Sequence, residues 1–436
     1  MKAVISLRDI LKDLINNKKI LILGFGREGR STLREILNVG GYESVTIADQ
    51  KSVDKELLEG VTTVTGEGYL DCLDDYDVVF KSPGVVLKKP ADEYKAYITS
   101  EMDVFLKAYG DKVIGITGTK GKSTTSSLIA HVLKEAGREV LFAGNIGVPV
   151  FDIADLVKAD SVIVLEMSCH QLEFVKYAPK RAVLLNIYED HLDHYGTREK
   201  YAAAKKNIYR KQKEDGILYV LDEFSPEPFE YKGTVNPVNE SMAPFSDFSE
   251  VEGATLKGRH NVLNCAFAYR VCKEYGVSEE TFIKAVGSFK GLPHRLEYIG
   301  SLNGVDYYDD SISTTVKSAI SAVESIKNAG VLLLGGMERN LEYEELIDFL
   351  ADSSLDALIF MYASGKRMYD MYLEKTKGKK GPEAILKTDL KEAVETAKNR
   401  AKPGRAVILS PAAASYDSFK NFEERGDVYK SLVFLN

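Results

Sequence analysis

Short apolar runs alternate with longer amphipathic stretches along nearly the whole chain. The runs are bounded by turn-forming residues and lack a polar face, which is typical of strands buried on both sides. The predicted strands are residues 19–24, 44–49, 77–82, 112–117, 139–143, 161–166, 181–187, 216–221, 330–334, 357–362 and 405–410. Strands alternating with helices predict an α/β fold with mainly parallel sheets.

The length of 436 residues suggests roughly three domains. We predict an N-terminal Rossmann-like domain over residues 1–108, a central P-loop ATPase-like domain with a mostly parallel sheet over 109–297, and a C-terminal Rossmann-like domain over 298–436. The polar, proline-bearing stretch 223–252 is predicted to be a loop or hairpin excursion.

A glycine-rich segment joins the predicted strand 112–117 to an amphipathic helix predicted over 123–136. Gly118 and Gly121 allow backbone N–H groups to turn toward an anion at the helix N-terminus. The usual phosphate-loop motif has a glycine at the place of Ile116, so the match is to a shortened loop.

This segment predicts a nucleoside triphosphate site. Lys122 is placed to meet the β- and γ-phosphates, and the hydroxyl of Ser123 or Thr124 to meet Mg²⁺. An ordinary glycine-rich strand-to-helix turn is the alternative. The predicted phosphate-binding residues are Gly118, Thr119, Lys120, Gly121, Lys122, Ser123 and Thr124.

A second glycine pattern follows the first predicted strand. Gly24, Gly26 and Gly29 have the spacing of a dinucleotide fingerprint, and Asp49 ends the next strand. A nicotinamide-dependent dehydrogenase would use these residues, but it would leave the phosphate loop unexplained. A fold-forming turn without a dinucleotide fits the pattern equally well.

Polar residues at later strand ends suggest a metal site. Glu166 emerges from an apolar strand, and residues 189–194 hold three acids and two histidines. Mg²⁺ prefers oxygen ligands, so Glu166 with a loop hydroxyl suits it, and His191 would be a less usual ligand. A Zn²⁺ site formed by Cys169, His170, His191 and His194 is an alternative, but the spacing of these residues matches no established zinc-ligand pattern.

Composition narrows the class of protein. With 44% hydrophobic and 28% charged residues the chain can bury substantial cores, and its net charge of −8 argues against nucleic-acid binding. No apolar run approaches the roughly 18 residues of a membrane span, and no signal-peptide pattern begins the sequence. We therefore expect a cytoplasmic protein without membrane insertion, with its four cysteines as free thiols. The oligomeric state is open, with a monomer favoured.

Motifs along nearly the whole chain resemble the Mur ligase family, the ATP-dependent amide-forming enzymes of peptidoglycan precursor synthesis. The resemblance is closest to members that add D-glutamate to UDP-N-acetylmuramoyl-L-alanine. It rests on residues 24–26, 81–84, 117–124, 144–147, 166–168, 189–193, 201–205, 258–264, 291–295, 309–311 and 409–426.

The resemblance implies ATP and Mg²⁺ as cofactors, an acyl phosphate intermediate, and UDP-N-acetylmuramoyl-L-alanine and glutamate as partners. Catalytic roles fall on Lys122, Lys205, His191 and Glu166. Metal ligands would be Ser123, Glu166, His191 and Lys205, the lysine after carbamylation. Asn261, Asn264, Arg295 and Asp310 would complete the ATP site. Substrate-binding residues would be Gly24, Phe25, Gly26, Asp49, Ser82, Pro83, Gly84, Asn145, Ser168, Arg339, Ser415 and Phe422.

One departure from the family pattern concerns the amino-acid pocket. Where the family has a lysine after Asp-Ser, this chain has Ile312. Loss of a charge-assisted hydrogen bond costs about 1.5–3 kcal/mol, and Arg339 is the predicted substitute. L-glutamate as the incoming amino acid, a switch NTPase and a folate polyglutamylating ligase remain alternatives, although the first domain and residues 410–426 fit the last poorly.

Overall fold

Helices flank three mainly parallel sheets in the part of the chain that the structure describes. The computed structural model describes residues 6–53, 60–146, 148–188, 192–227, 229–256, 258–339 and 341–435. The predicted α/β fold class is confirmed.

Each apolar run singled out in the sequence forms a strand. The strands are β1 (Lys19–Leu23), β2 (Ser44–Asp49), β3 (Thr62–Thr65), β4 (Val78–Lys81), β5 (Tyr97–Thr99), β6 (Val113–Thr117), β7 (Val140–Gly144), β8 (Val162–Glu166), β9 (Arg181–Leu184), β10 (Ile217–Leu221), β11 (Thr234–Val238), β12 (Glu297–Leu302), β13 (Val305–Asp309), β14 (Ala329–Leu334), β15 (Ala357–Met361), β16 (Glu383–Lys387) and β17 (Ala406–Leu409).

The helices cover the faces of the sheets, as parallel strands with two buried faces require. They are α1 (Leu7–Ile15), α2 (Arg27–Val39), α3 (Glu101–Tyr109), α4 (Lys122–Glu135), α5 (Cys169–Leu172), α6 (Leu192–Tyr195), α7 (Arg198–Arg210), α8 (Arg259–Lys273), α9 (Glu279–Ser288), α10 (Val316–Ser325), α11 (Glu344–Ala351), α12 (Tyr362–Lys375), α13 (Leu390–Arg400) and α14 (Phe422–Phe434). None of the helices in the described ranges is long and apolar enough to span a membrane.

The order of the strands in each of the three sheets shows where the candidate site lies. The orders are β3-β2-β1-β4-β5, β11-β10-β9-β6-β8-β7 and β12-β13-β17-β14-β15-β16. In the second sheet β6 lies between β8 and β9, all three parallel. The carboxyl ends of these strands, where α/β folds bind ligands, therefore meet at one edge.

The stretch predicted as a loop or hairpin contains a strand. Residues Thr234–Val238 pair in parallel with β10 and form the edge of the second sheet. Pro237 read as a turn signal, but an edge strand tolerates proline because one side of it has no ladder bonds to lose. The hairpin interpretation of this segment was therefore wrong.

The chain separates into two compact units, residues 1–289 and 290–436. The predicted boundary at 108/109 falls near the end of α3, and one core cluster continues across it from Leu7 in α1 to Ile208 in α7. The boundary predicted at 297/298 falls at the start of β12. The division into three functional domains remains a prediction.

Candidate active site

The phosphate loop predicted from the sequence is a four-residue connection between β6 and α4. All five residues of β6 are buried, which fixes where the loop begins. Gly121 has φ +86° and caps α4, and a Cβ there would lie 2.6 Å from Asn264 Oδ1 on α8. Both the conformation and the close approach require glycine. The loop therefore presents the N-terminus of a 14-residue helix to any ligand bound at this edge.

Lys122 lies in the curve of this loop. Its Nζ donates to the carbonyl oxygens of Gly118 and Thr119, at 3.0 Å each. The ammonium is thus held beside the loop N–H groups, where it adds positive charge to that of the helix N-terminus. Ser123, the second residue of α4, is buried.

Asn186 holds the loop in shape, and the sequence analysis did not single it out. Its Oδ1 accepts hydrogen bonds from the backbone N–H groups of Thr119 (3.0 Å) and Lys120 (2.9 Å). Its Nδ2 donates to Lys120 O at 3.1 Å. Its position, two residues after the end of the β9 strand beside β6, was the available signal. A polar residue at such a strand end can reach the neighbouring loop.

Replacing Asn186 with alanine is expected to raise the KM for ATP roughly 10- to 100-fold, because two loop N–H groups lose a buried acceptor. Asn186→Asp keeps the acceptor but adds a charge that repels phosphate, so its KM should be higher still. Steady-state kinetics check both, with Asn38→Ala, on an exposed asparagine, as the control. A wild-type KM in the aspartate variant would contradict this role.

Glu166 supplies a buried carboxylate at the end of β8, next to β6. The residue is 1% exposed, and Asn145 Nδ2 donates to its Oε1 at 2.7 Å. Its Oε2 is buried and has no hydrogen-bond partner among the described residues. A buried carboxylate oxygen without a partner is costly, and a hard cation would satisfy it. This geometry fits the predicted Mg²⁺ site, whereas His191 lies outside the described residues.

Lys205 reaches the same loop from α7. It is 1% exposed, its Nζ donates to Gly118 O at 2.8 Å, and the ammonium lies 4.7 Å from the centre of the Tyr201 ring. The Tyr201 hydroxyl in turn lies 3.0 Å from Thr119 Oγ1. A carbamate on Lys205 would keep an N–H for Gly118 while adding oxygen ligands, so the position is compatible with the predicted modification.

The Zn²⁺ alternative gains no support from the described residues. Cys169 Sγ lies 3.6 Å from His170 Nδ1, and His194 pairs with Glu173 instead. Among the described side chains, those close enough to share a metal are His294, Glu297 and Asp309.

The group of His294, Glu297 and Asp309 already contains the ammonium of a lysine. Lys430 Nζ lies 2.7 Å from Glu297 and 3.8 Å from Asp309, and His294 Nδ1 lies 2.7 Å from Asp309. An ammonium among these carboxylates takes the place that a cation would occupy. The group is an ion-pair network within the second unit.

Two side chains at the strand ends of the first sheet form hydrogen bonds with the N-terminal glycine turn. Asp49 accepts hydrogen bonds from the backbone N–H groups of Phe25 (2.6 Å) and Lys51 (2.8 Å). Gly24 has φ +89°, its carbonyl accepts from Ser82 Oγ at 2.7 Å, and a Cβ would lie 2.9 Å from Ser82 Cβ. Each oxygen of Asp49 accepts one backbone hydrogen bond, which fixes the turn, and each keeps a lone pair that a further donor can use. Pro83, which follows Ser82, is half-buried, and Gly84 is exposed.

The predicted ATP residues are divided between the two units. Asn261 and Asn264 lie on α8, which packs against α4, and Asn264 Nδ2 donates to Asn261 Oδ1 at 2.9 Å. Arg295 and Asp310 belong to the second unit. Arg295 is exposed, whereas Asp310 is buried and accepts from Ser410 Oγ at 2.7 Å.

Asp310 should make stability depend on pH. Burial raises its pKa to about 6, opposed by hydrogen bonds from Ser313, Ser410 and Leu296. Between about pH 4 and 6 the native state keeps a proton that the unfolded state has released, so stability falls as pH rises, by about 2–3 kcal/mol in total. Asp310→Asn is expected to remove this loss.

Denaturant unfolding of the wild type and Asp310→Asn at pH 4.5 and 7 checks this expectation. The gain from the asparagine should be larger at pH 7. Asp352→Asn, on an exposed side chain, is the control. An equal difference at both pH values would contradict the expected pH dependence.

A buried arginine organises the predicted amino-acid pocket, and the sequence analysis did not single it out. Arg425 is fully buried, and its guanidinium donates to Ser311 Oγ (2.9 Å), Ser311 O (2.8 Å) and Ala413 O (3.0 Å). Burial lowers its pKa to about 10, opposed by the charge of Asp309. Phe422 O accepts from Ser311 Oγ at 2.8 Å. The arginine thus ties the segments after β13 and β17 to α14.

The other residues predicted for the amino-acid pocket differ in how exposed they are. Ser415 is 4% exposed, and its carbonyl accepts from the N–H groups of Ser418 and Phe419. Ile312 is half-buried, and the Arg339 side chain is exposed. Near Arg339, Arg367 forms a two-pronged pair with Glu338, at 3.0 Å for each contact.

Two protein-family models match successive parts of the chain. The Mur ligase middle domain matches residues 116–227, and the Mur ligase glutamate ligase domain matches residues 294–413. A protein of Clostridium botulinum strain Langeland named UDP-N-acetylmuramoylalanine--D-glutamate ligase is 34% identical, over 97% of this chain and 98% of its own length.

Two solved structures share the fold at lower identity. UDP-N-acetylmuramate-alanine ligase MurC from Thermotoga maritima superposes with a TM-score of 0.54 at 19% identity, over 94% of this chain and 98% of its own. MurF ligase from Thermotoga maritima, in complex with ADP, superposes with a TM-score of 0.52 at 19% identity, over 98% and 99%.

Proposed function

This chain belongs to the Mur ligase family, and we propose that it is the ATP-dependent ligase that joins D-glutamate to UDP-N-acetylmuramoyl-L-alanine in peptidoglycan precursor synthesis. The D-glutamate ligase of Clostridium botulinum, matched over 97% of this chain, carries the choice of substrates. The site independently supports phosphoryl transfer, because a phosphate loop, its lysine and a buried carboxylate meet at one sheet edge, and one oxygen of that carboxylate has no partner among the described residues.

The proposed reaction has two balanced steps. A carboxylate oxygen of the alanyl group attacks the γ-phosphorus of ATP, which gives an acyl phosphate and ADP. The amine of glutamate then attacks the acyl carbon and loses a proton, and phosphate leaves with the bridging oxygen. The second step forms the amide bond.

The roles of the residues follow from charge and position. The loop N–H groups and the Lys122 ammonium would bind and orient the phosphates, and they would stabilise the charge that is spread over the transferred group. Glu166, Ser123, His191 and a carbamylated Lys205 are the proposed holders of Mg²⁺, which would neutralise phosphate charge when bound. Asn261, Asn264, Arg295 and Asp310 are the proposed contacts to the rest of ATP.

The proposed substrate contacts lie in two regions. For UDP-N-acetylmuramoyl-L-alanine they are Gly24, Phe25, Gly26, Asp49, Ser82, Pro83, Gly84, Asn145 and Ser168, and for glutamate Arg339, Ser415 and Phe422. The functional division into residues 1–108, 109–297 and 298–436 is part of this proposal. So are a cytoplasmic monomer and the absence of a nucleic-acid partner.

L-glutamate remains a second candidate because Ile312, half-buried and apolar, stands where the family has a lysine. The test is to incubate the protein with UDP-N-acetylmuramoyl-L-alanine, ATP and Mg²⁺, adding D- or L-glutamate separately, and to measure phosphate release and product mass. Product with D-glutamate alone supports the proposal. Product with L-glutamate alone would replace the amino acid, and no product with either would refute the proposed function.

A further inference from the structure

A hydrogen bond within the first unit links the first turn of α2, which follows the N-terminal glycine turn, to the short helix α5, which follows β8 of the second sheet. Glu28 lies in the first turn of α2, immediately before Gly29. Its Oε1 accepts from Gln171 Nε2 of α5 at 2.7 Å. Neither residue has a role in the site described so far.

Gln171 uses both ends of its amide. Its Oε1 accepts from Ser168 N at 3.0 Å and from Ser168 Oγ at 3.2 Å, while Ser168 Oγ accepts from Gln171 N at 3.3 Å. These contacts form a capping box at the start of α5. Because the oxygen end faces Ser168, the amino end is directed to Glu28.

The short helix α5 cannot hold this geometry alone. It has four residues, and an isolated helical turn is unstable because nucleation fixes several dihedral angles for one hydrogen bond. It begins three residues after Glu166, with Met167 and Ser168 between them. The capping box and the bond to Glu28 therefore fix the chain where it leaves β8, directly after Glu166.

Water does not readily replace these bonds. Gln171 and its neighbour Lys81 are each 4% exposed, and the Lys81 ammonium lies 4.7 Å from the centre of the Phe174 ring. Burial raises the pKa of Glu28, opposed by the hydrogen bond from Gln171 and by the charge of Lys81. A second carboxylate placed at position 171 would therefore face the half-buried Glu28, and the two carboxylates would share the single ammonium of Lys81.

We propose that Glu28 and Gln171 are positioning residues for the metal carboxylate Glu166, acting through the Ser168 cap, an inference that rests on the proposed function. Residues that orient metal ligands typically contribute roughly 10- to 100-fold to metal affinity or activity. The first turn of α2 thereby sets the geometry of the site at the second sheet.

The test reverses the polarity of the contact. Gln171→Glu keeps the acceptor for Ser168 but opposes two carboxylates, and adding Glu28→Gln restores a donor and acceptor pair. Gln212→Glu is a matched control because the Gln212 amide donates to the carbonyls of Pro179 (2.7 Å) and Lys180 (2.9 Å), which directly precede β9 and so lie at the amino ends of the strands, away from the loop. Mn²⁺ affinity in the presence of ADP, by electron paramagnetic resonance, is measured beside the melting temperature.

Gln171→Glu is expected to weaken Mn²⁺ binding roughly 10- to 100-fold, the double variant to recover most of it, and Gln212→Glu to lower only the melting temperature. Unchanged Mn²⁺ affinity in Gln171→Glu, or no recovery in the double variant, would overturn the inference. A wild type that binds Mn²⁺ with ADP yet forms no ligation product would refute the proposed function alone.

Discussion

Glu166→Gln is expected to lower kcat roughly 100- to 1000-fold while raising the melting temperature. The activity falls because the substitution removes a fixed charge at the phosphoryl-transfer site, where a single electrostatic contact typically contributes that much. Stability rises because the buried Oε2 has no partner among the described residues, and a neutral amide costs less to bury than a charge. We expect an increase of about 2–6 °C.

Opposite signs for activity and stability distinguish this account from simple damage to the fold. Kinetics with saturating substrates and thermal unfolding without ligands measure the two effects. Glu199→Gln, on an exposed glutamate of α7, is the control and should change neither. Full activity in Glu166→Gln would remove Glu166 from the site.

Lys205→Ala is expected to abolish measurable activity, and short carboxylic acids should restore part of it. The lysine is 1% exposed and bonded to Gly118 O, so alanine leaves a space beside the phosphate loop where a small acid can place its oxygens. In the wild type a carbamate would supply those oxygens, which suit Mg²⁺ better than an ammonium does.

Activity of Lys205→Ala with and without formate or acetate is the measurement. Lys206→Ala, at the next and less buried position of α7, is the matched control and should remain active. Mass spectrometry at neutral pH with added bicarbonate should detect the carbamate on the wild type. Full activity in Lys205→Ala would exclude the modified lysine as a necessary group.

Local pattern was sufficient for most of the fold. The central strands that were found, such as β6 and β8, are buried along their whole length, so their sequences are continuous apolar runs. The strands that were missed lie at sheet edges or in a hairpin. The β3 and β16 strands contain no fully buried residue, and their polar positions left no clear pattern.

The sequence predicted those parts of the candidate site that lie within a single segment, such as residues 118–124. It did not predict the parts in which a contact joins distant segments. Asn186 is 66 or 67 residues from the loop N–H groups that it binds, and Arg425 is 114 residues from Ser311. Such partners depend on strand order and burial, and the spacing of residues in the sequence does not encode them.

The most direct test follows an oxygen atom from the carboxylate of the substrate to the released phosphate. UDP-N-acetylmuramoyl-L-alanine labelled with ¹⁸O in its terminal carboxylate is incubated with ATP, Mg²⁺ and D-glutamate, and the released phosphate and the product are analysed by mass spectrometry. The account predicts one ¹⁸O in each phosphate and one fewer in the amide product than in the substrate. Unlabelled phosphate, or phosphate release without an amide product, would contradict it.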